Sequence, residues 1–556
     1  MKQLWKGAVL AAAIVLTGCA AEPAETELEI AQAAGAPFFE GMGAYTMPIT
    51  TSDAYAQRYF DQGMVLAFGF NHAESIRSFR AAQARDPSCA MCFWGEALAT
   101  GPNINVTSNG KAIMSPDERR RARAAIDQAL ALMEGSNARE QALIKALDKR
   151  YDGNPETPRA PLDEAWAEAM GEVAAAYPED STAASVYAEA LMNTMPWDYW
   201  GPNGEAKPET QKVIASLERV LVQDPDHPLA LHLYIHALEA SSNAAKAEAA
   251  ADRLTDLVPG SGHLVHMPSH IFFRVGRYND AVEANIKAAD VDEAYIAQCN
   301  AQGFYPAMYY PHNIHFLWAS ASMQGQSALS LQSARRVVEN VRVEQVEQFP
   351  TIQFFRTVPM LSLVRFGRWE EILVEPEPRE DFAFARAIWH YGRGVALAAQ
   401  GQGDQALGEL AAMEALEDRV NEIFLGASYP AKSLLGIAKA LLRGEVAYRA
   451  GDAVAAIPHF EQAVALQDAL PYTEPPFWYY PTRQSLGAAL LAAGKAAEAQ
   501  KVFEEDLHEY PMNGWSMFGL AQALEAQGDE AGASAMRARF ERTWQLADVE
   551  LTSSTL

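Results

Sequence analysis

Cysteine and basic residues are both scarce in this sequence. Only four cysteines occur in 556 residues, and 44 lysines and arginines stand against 71 aspartates and glutamates, which gives a net charge of −27 at pH 7. A single Cys-x-x-Cys pair without a second one argues against a four-cysteine zinc site. A surface this acidic repels phosphate backbones, which argues against nucleic acids as partners and favours cations or basic partners.

Common catalytic motifs are missing as well. The sequence has no GxxxxGK[ST] loop, no GxSxG elbow and no HExxH pair, and Gly-x-Gly occurrences such as Gly392-Arg393-Gly394 lie in helical context. No set of nucleophile, base and orienting group is recognisable from spacing alone. Whether the protein is an enzyme stays open, and catalysis would have to use the histidines described below.

Long hydrophobic runs are absent beyond the N-terminus, so we expect no later transmembrane helix. At the N-terminus, Lys2 and Lys6 precede an apolar run that ends at Leu16, and Cys19 follows closely. This pattern predicts an export signal over residues 1–18. It resembles the bacterial lipoprotein signal, which implies that Cys19 is lipidated and becomes the new N-terminus.

The resemblance to lipoproteins also implies a location. Ala20, directly after the cysteine, favours the outer membrane, where the chain faces the periplasm or the surface and contacts the membrane through its lipid alone. An ordinary secretory signal cut near Ala20 or Ala21 is the alternative. Residues 19–50 begin with a small, acidic segment and are predicted to be a tether or linker.

A fixed order of small, aromatic and proline residues repeats along the chain. Two copies near the C-terminus are Gly444, Gly451, Ala456 and Phe460, followed by Gly487, Gly494, Ala499, Phe503 and Pro511. Small residues let two helices approach closely, phenylalanine fills the space between them, and proline ends the second helix. The order resembles the tetratricopeptide repeat (TPR), a pair of antiparallel helices of about 34 residues.

The TPR resemblance implies an all-α fold, a right-handed superhelix of helix hairpins. Further matches extend the repeats over most of residues 50–545, with weaker stretches around residues 100–165 and 370–440. We predict an N-terminal array with a histidine-lined groove over residues 51–370. A C-terminal array with a capping helix is predicted over residues 371–556.

Four segments resemble exported bacterial TPR lipoproteins. They are CAMCFWGEALATGPNIN (89–105), LHLYIHALEAS (231–241), GHLVHMPSHIFFRVGRY (262–278) and YYPHNIHFLW (309–318). The resemblance spans about residues 55–370 and implies the fold and the compartment. It implies no reaction, because no activity is settled for that group.

Histidines recur at the repeat length. Two HxxxH pairs lie 34 residues apart, namely His232 with His236 and His266 with His270. His315 occupies the matching position in a third repeat, and His312 lies one turn earlier. In the TPR family this face of the first helix lines the concave groove, so the resemblance implies a row of imidazoles along one inner wall.

The histidine spacing suits metal binding. Residues four apart lie on one helix face, so both imidazoles of a pair can reach the same ion. Glu239 continues that face as a further ligand or as a partner of a ligand. The predicted metal ligands are His232, His236, His266, His270 and His315, and the set suits a divalent transition metal such as Zn, Cu, Fe or Ni. The alternatives are hydrogen bonds to a partner's backbone, stacking on aromatic residues, and burial in the core.

Cys89 and Cys92 begin a helix just after Pro87. A structural disulfide at the helix entrance is favoured over a reactive thiol or a Cu(I) site, because the context of a redox motif is missing. Trp94 occupies the position that histidines fill in later repeats and is predicted to face the groove.

Three inserts rich in aromatic residues and proline interrupt the repeats, at residues 195–208, 303–311 and 470–481. Their aromatic side chains pack over the superhelix or meet a ligand, and packing is the favoured alternative. The predicted groove residues are His232, His236, Glu239, His266, His270, His312, His315 and Trp94.

The function predicted first is a non-catalytic scaffold, anchored in the envelope, that binds a protein, a peptide or a small ligand in this groove. The alternative is a metal-binding or metal-dependent protein that uses the row of histidines. A metalloenzyme with Glu239 as ligand or base is a weaker third option.

Overall fold

The structure is a computed structural model, and it describes residues 26–108, 111–201, 204–301, 303–427 and 429–556. The predicted export signal and the predicted lipid attachment at Cys19 lie outside these residues. Within the described ranges, no helix combines the length and the apolar character needed to cross a bilayer.

The described residues are mostly helical. The first fifteen helices are α1 Glu27–Ala34, α2 Ala54–Phe68, α3 His72–Arg85, α4 Ala90–Thr100, α5 Pro116–Leu132, α6 Ala138–Asp148, α7 Arg159–Ala176, α8 Ser181–Thr194, α9 Pro208–Gln223, α10 Pro228–Glu239, α11 Glu248–Leu254, α12 Gly262–His266, α13 Pro268–Arg274, α14 Tyr278–Cys299 and α15 Tyr310–Met323. The next are α16 Ser327–Asn340, α17 Val343–Gln348, α18 Val358–Arg365, α19 Trp369–Val374, α20 Ala383–Ala399, α21 Gly403–Glu414, α22 Glu417–Ile423, α23 Ala431–Arg449, α24 Ala453–Asp468, α25 Arg483–Ala492, α26 Ala496–Glu509, α27 Gly514–Ala526 and α28 Glu530–Thr543. Two short strands, β1 Thr107–Ser108 and β2 Lys111–Ala112, form an antiparallel hairpin.

Consecutive helices pack against each other as hairpins, for example α2 with α3, α7 with α8, and α23 with α24. Phe79 of α3 lies between two glycines. A Cβ atom at Gly63 of α2 would come within 2.8 Å of the phenyl ring, and one at Gly95 of α4 within 2.3 Å. The predicted all-α, TPR-type solenoid is confirmed, and contacts between glycine and phenylalanine allow its helices to approach closely.

The stretches with weaker repeat signals are helical too. Residues 100–165 contain α5 and α6, and residues 370–440 contain α20, α21 and α22. In α5 the buried side chains are small or aliphatic and lie three or four residues apart, namely Ala122, Ala125, Ile126 and Ala129. This spacing gives one apolar face, so the helices pack like the others although the repeat residues themselves are missing.

The segment predicted to be a linker is folded from residue 26 onward. Tyr59 Oη donates a hydrogen bond to the Ala36 carbonyl oxygen at 2.8 Å. Ala36 and Met47 are buried against the first repeats. Within the tether or linker predicted over residues 19–50, apolar side chains such as Ala36 and Met47 therefore complete the hydrophobic core at the N-terminal end of the solenoid.

The C-terminal helices return to the middle of the chain. Trp515 Nε1 of α27 donates a hydrogen bond to the Ser322 carbonyl oxygen of α15 at 3.1 Å. Beyond α28, the Asp548 carboxylate accepts a hydrogen bond from the Ser327 backbone N–H at 2.6 Å. One hydrophobic cluster includes side chains from both sides of the boundary predicted between residues 370 and 371, so packing is continuous there.

Candidate metal centre

Six histidines lie side by side where four helices meet. These residues, which we call the histidine cluster, are His232 and His236 on α10, His263 and His266 on α12, His270 on α13 and His312 on α15. Ring centroids are 4.8 Å apart within each HxxxH pair and between His266 and His312. Each pair spans one helical turn, and packing of α10 against α13 brings the two pairs together.

The histidine cluster divides into two triads. The first triad is His232, His236 and His263, and the second triad is His266, His270 and His312. Within each triad, one nitrogen from each ring lies within 4.8 Å of the nitrogens of the other two. Five of the six side chains are buried and that of His312 is half-buried. Nitrogen donors this close together, and this well shielded from water, are able to hold a metal ion.

Glu239, the last residue of α10, joins the two triads. Its Oε1 lies 2.6 Å from Nδ1 of His236, and its Oε2 lies 2.6 Å from Nδ1 of His270. Burial alone would raise the pKa of Glu239, but attraction to His270 and hydrogen bonds from both histidines hold that pKa below its ordinary value. The ionised carboxylate only accepts hydrogen bonds, so both rings carry their proton on Nδ1.

Two further imidazoles are oriented through Nδ1 in the same way. His232 Nδ1 donates to the Phe68 carbonyl oxygen at 2.6 Å. His266 Nδ1 lies 2.6 Å from the Asn285 side-chain oxygen, and the Asn285 amide donates to the Ala281 carbonyl oxygen at 2.7 Å, which fixes the orientation of the amide. Four of the six histidines are therefore held through Nδ1 and turn Nε2 toward the other rings of the cluster.

The nitrogens that face one another have few protein partners. Within the described residues, Nε2 of His232, Nε2 of His236 and both ring nitrogens of His263 are buried without a hydrogen bond. Nε2 of His266 lies 2.8 Å from Nε2 of His270. The two nitrogens lie within hydrogen-bond distance, so a proton on one of them or a metal ion bound to both accounts for their close approach.

Burial keeps these imidazoles neutral. It lowers the pKa of His232, His263 and His266 well below the ordinary value, and repulsion from neighbouring rings lowers each of these pKa values further. Neutral imidazole is the form that binds metal ions.

A loop from the C-terminal half completes the site. Tyr472 Oη donates to Oε2 of Glu239 at 3.1 Å and also contacts the Glu474 carboxyl group. Oε2 of Glu474 lies 3.4 Å from Nδ1 of His270. Burial, together with the negative charge of Glu239, raises the pKa of Glu474 well above its ordinary value. Glu239, His270 and Glu474 thus form a third group of close potential ligand atoms.

A cavity of about 1100 Å³ adjoins the cluster. Its wall includes His236, His263, His270 and His312, and each of the three predicted inserts contributes to it. The contributing side chains include Trp197 and Trp200 from the first insert, Phe304 and Tyr309 from the second, and Tyr472 and Phe477 from the third. The inserts therefore pack over the solenoid and at the same time border a space that a small ligand could occupy.

Two of the residues predicted to line the groove, Trp94 and His315, do not belong to the histidine cluster. Trp94 is buried in the hydrophobic core, and its Nε1 donates to the Leu143 carbonyl oxygen at 3.1 Å, so the prediction that Trp94 faces the groove is wrong. The same position in two repeats does not ensure the same environment, because each repeat packs against different neighbours. His315 borders the cavity but belongs to neither triad; it stacks on Trp318 with ring centroids 5.1 Å apart.

Cys89 and Cys92 form a disulfide at the start of α4. Cys89 Sγ also accepts a hydrogen bond from the Cys92 backbone N–H at 3.1 Å, as a helix cap does. Both cysteines are buried, and neither belongs to a group of close potential metal ligands among the described residues.

Sequence reasoning missed part of the site. His263 lies one turn before His266 but outside the repeating pairs, so the 34-residue spacing does not identify it. Tyr472 and Glu474 lie in an insert that was recognised by its composition, but no spacing rule indicated which repeat that insert would contact. For Tyr472 and Glu474 the sequence signal was indirect. An irregular segment rich in aromatic residues is expected to pack against another part of the chain, and its polar groups then need partners there.

Comparisons with known proteins show only distant likeness. No protein-family model matches the chain, and no curated protein matches its sequence. The human IFIT1 dimer with PPP-AAAA is 13% identical over 86% of this chain and 89% of that chain, with a TM-score of 0.32. The yeast Tom70 structure is 13% identical over 88% and 90% of the two chains, with a TM-score of 0.24. The TPR domain of P58(IPK) is 11% identical over 89% and 98%, with a TM-score of 0.20.

Proposed function

We propose that the protein is a TPR-type scaffold that binds a transition-metal ion in the histidine cluster. The observation that carries the proposal is the orientation of the imidazoles. Glu239 holds Nδ1 of both His236 and His270, while Nε2 of each ring is turned toward the other histidines. Metal-binding histidines are held in this way, because the N–H on one side fixes the ring and the lone pair on the other side binds the ion.

The donor set narrows the choice of metal. Six imidazoles with two nearby carboxyl groups suit zinc, copper, iron or nickel, whereas magnesium and calcium prefer oxygen ligands. A net charge of −27 attracts cations to the chain as a whole. The donor set and the net charge both favour a transition-metal cation as the species that the histidine cluster binds.

A purely structural role for the cluster accounts for less of the geometry. Each buried polar atom without a partner costs about 1–3 kcal/mol, and the first triad contains four such nitrogens. Peptide binding to these histidines is also disfavoured, because Glu239 and five of the six rings are buried beneath other side chains. An ion is small enough to reach them.

A small molecule in the adjoining cavity is the second candidate ligand. The aromatic walls of the three inserts and the four cluster histidines that border the cavity favour an organic molecule that also offers a metal-binding atom. We assign no reaction to it. Both oxygens of Glu239 accept hydrogen bonds, which favours an orienting role for this residue over the role of a general base.

We also propose that the chain is tethered to a bacterial envelope through a lipid on Cys19, with any protein partner in the same compartment. The support is the lipoprotein-like sequence before this cysteine. Mass spectrometry of the N-terminal peptide, after expression in a Gram-negative host, should show an acylated Cys19. An unmodified N-terminus near Ala20 or Ala21 would support the ordinary secretory signal instead, and Cys19→Ser provides the unmodified reference.

Elemental analysis tests the metal proposal. The purified chain should contain zinc or copper after dialysis against either ion, and a His236→Gln/His270→Gln variant should contain much less. His390→Gln is the matched control, because His390 also donates through Nδ1 to a carboxylate, Glu409 at 2.6 Å, but lies outside the cluster. Circular dichroism confirms that each variant is folded. Equal metal content in all three proteins would overturn the proposal.

A further inference from the structure

We infer that the histidine cluster is a binuclear centre, with one metal ion in each triad and Glu239 between them. The inference rests on the proposed function and adds the number of ions, their separate ligands and the class of molecule that could bridge them.

The arrangement of the imidazoles argues for two ions. The two histidine triads share no residue, and the third group of close ligand atoms, Glu239, His270 and Glu474, adds two carboxyl groups beside the second triad. A transition-metal ion binds imidazole nitrogen at about 2.0–2.1 Å and takes about four ligands in most zinc sites. One ion therefore uses one triad and would leave the three imidazoles of the other triad without a metal.

The acceptors outside the rings are arranged in the same way for both triads. In the first triad, Phe68 orients His232 and Glu239 orients His236. In the second triad, Asn285 orients His266 and Glu239 orients His270. Each triad therefore has two rings fixed with Nε2 available, as expected if each binds its own ion.

Glu239 links the two halves of the site. One oxygen contacts a ring of the first triad and the other oxygen contacts a ring of the second, each at 2.6 Å. The side chain is completely buried. A single buried carboxylate placed between two sets of neutral ligands supplies negative charge to both ions at once.

Both triads face the cavity. His236 and His263 of the first triad and His270 and His312 of the second border it, while His232 and His266 lie behind them. Three protein ligands leave a coordination position open at each ion. A small anion entering from the cavity, such as hydroxide or a carboxylate, could therefore contact both ions together.

Stoichiometry tests the inference on the full chain. After removal of bound metal and equilibrium dialysis against Zn²⁺, we expect two zinc ions per chain for the natural protein. His232→Gln/His263→Gln should leave one ion in the second triad, and His266→Gln/His312→Gln should leave one in the first. His459→Gln/His508→Gln, two histidines outside the cluster, is the matched control and should keep two.

The outcomes separate the two proposals. No zinc in the natural protein would overturn the proposed function. One zinc that survives either triad variant unchanged would overturn the binuclear centre and leave the proposed function standing. Circular dichroism shows whether each variant is folded.

Magnetic coupling gives a readout that does not depend on variants. In two-metal centres the ions lie about 3.5–4 Å apart, and two Cu²⁺ ions at that distance are expected to couple, so the electron paramagnetic resonance signal should integrate to less spin than the copper content. Full spin for two bound copper ions would show that the ions do not share one centre, and would overturn the inference.

Discussion

Glu239 is the single residue that orients imidazoles of both triads. It accepts hydrogen bonds from rings on two helices, α10 and α13. A glutamine at this position has one acceptor oxygen and cannot hold both rings through Nδ1. We therefore predict that Glu239→Gln weakens zinc binding by about 10–100-fold, measured by competition with a chelator of known affinity.

The matched control for this change is Glu409→Gln. Glu409 accepts a hydrogen bond from Nδ1 of His390 at 2.6 Å and is partly buried, but it lies outside the histidine cluster. Its replacement should leave zinc affinity unchanged. Similar losses in the two variants would show that Glu239 acts through stability and not through the orientation of ligands.

Asp506 should make stability depend on pH. Burial raises the pKa of this carboxyl group from an ordinary 3.8 to about 6, although hydrogen bonds from Ser516 and Asn513 oppose the shift. The folded chain therefore holds the proton more tightly than the unfolded chain, and stability falls as pH rises from about 4 to about 6, by about 3 kcal/mol. Asp506→Asn should remove this part of the dependence.

The comparison requires denaturant unfolding of both proteins at pH 4.5, 6 and 7.5. The free energy of unfolding of the natural protein should fall relative to that of the variant across this range. Parallel curves for the two proteins would contradict the prediction. The asparagine keeps an acceptor for Ser516, so the variant is expected to fold.

At the scale of elements, neighbouring helices can approach closely where a glycine of one helix contacts a phenylalanine ring of the next. A Cβ atom at Gly519 of α27 would lie 2.3 Å from the Phe503 ring of α26. We predict that Gly519→Ala lowers the free energy of unfolding by about 1–3 kcal/mol, because the ring has to move or the helices have to separate. Urea denaturation measures the change.

Gly408 of α21 provides the opposite case. It is exposed, and nothing lies within 4 Å of a Cβ atom built there. Gly408→Ala should stabilise the protein by about 0.5–1 kcal/mol, because alanine loses less backbone freedom in a helix. Destabilisation by both variants to a similar extent would contradict the prediction, because the loss at Gly519 would then not depend on contact with Phe503.

Regular elements were the part of the structure that the sequence predicted best. The repeats, the paired helices and the two HxxxH pairs all follow from spacing within a helix, which is a local property. Trp94 shows the limit of that reasoning, since a matching position in a different repeat lies in the core. Tyr472 and Glu474 show a second limit, because the contacts of Tyr472 with Glu239 and of Glu474 with His270 depend on the path of the whole superhelix.

At the scale of the whole molecule, the C-terminal tail binds to the middle of the chain. The Asp548 carboxylate accepts hydrogen bonds from the backbone N–H groups of Ser327 and Ala328 at 2.6 and 2.9 Å, and so caps α16 from a distant segment. Asp548→Ala should cost about 1 kcal/mol, the usual value of such a cap.

Hydrogen exchange locates the effect of this variant. Exchange should become faster both at the start of α16 and in residues 545–556, because the contact holds the two together. Asp452→Ala removes a local cap, the hydrogen bond from the Ala455 N–H at 2.9 Å, and should affect only the start of α24. A response to Asp548→Ala confined to the tail would contradict the prediction.

The division of the site between distant parts of the chain imposes an order on its assembly. All six cluster histidines and Glu239 are synthesised before residue 313, whereas Tyr472 and Glu474 emerge only after most of the later repeats. Because chains fold as they are made, with N-terminal units first, the imidazoles can gather while the side later covered by the loop is still open to water. Under the metal proposal, an ion that binds at that stage would be covered when Tyr472 and Glu474 pack against Glu239 and His270.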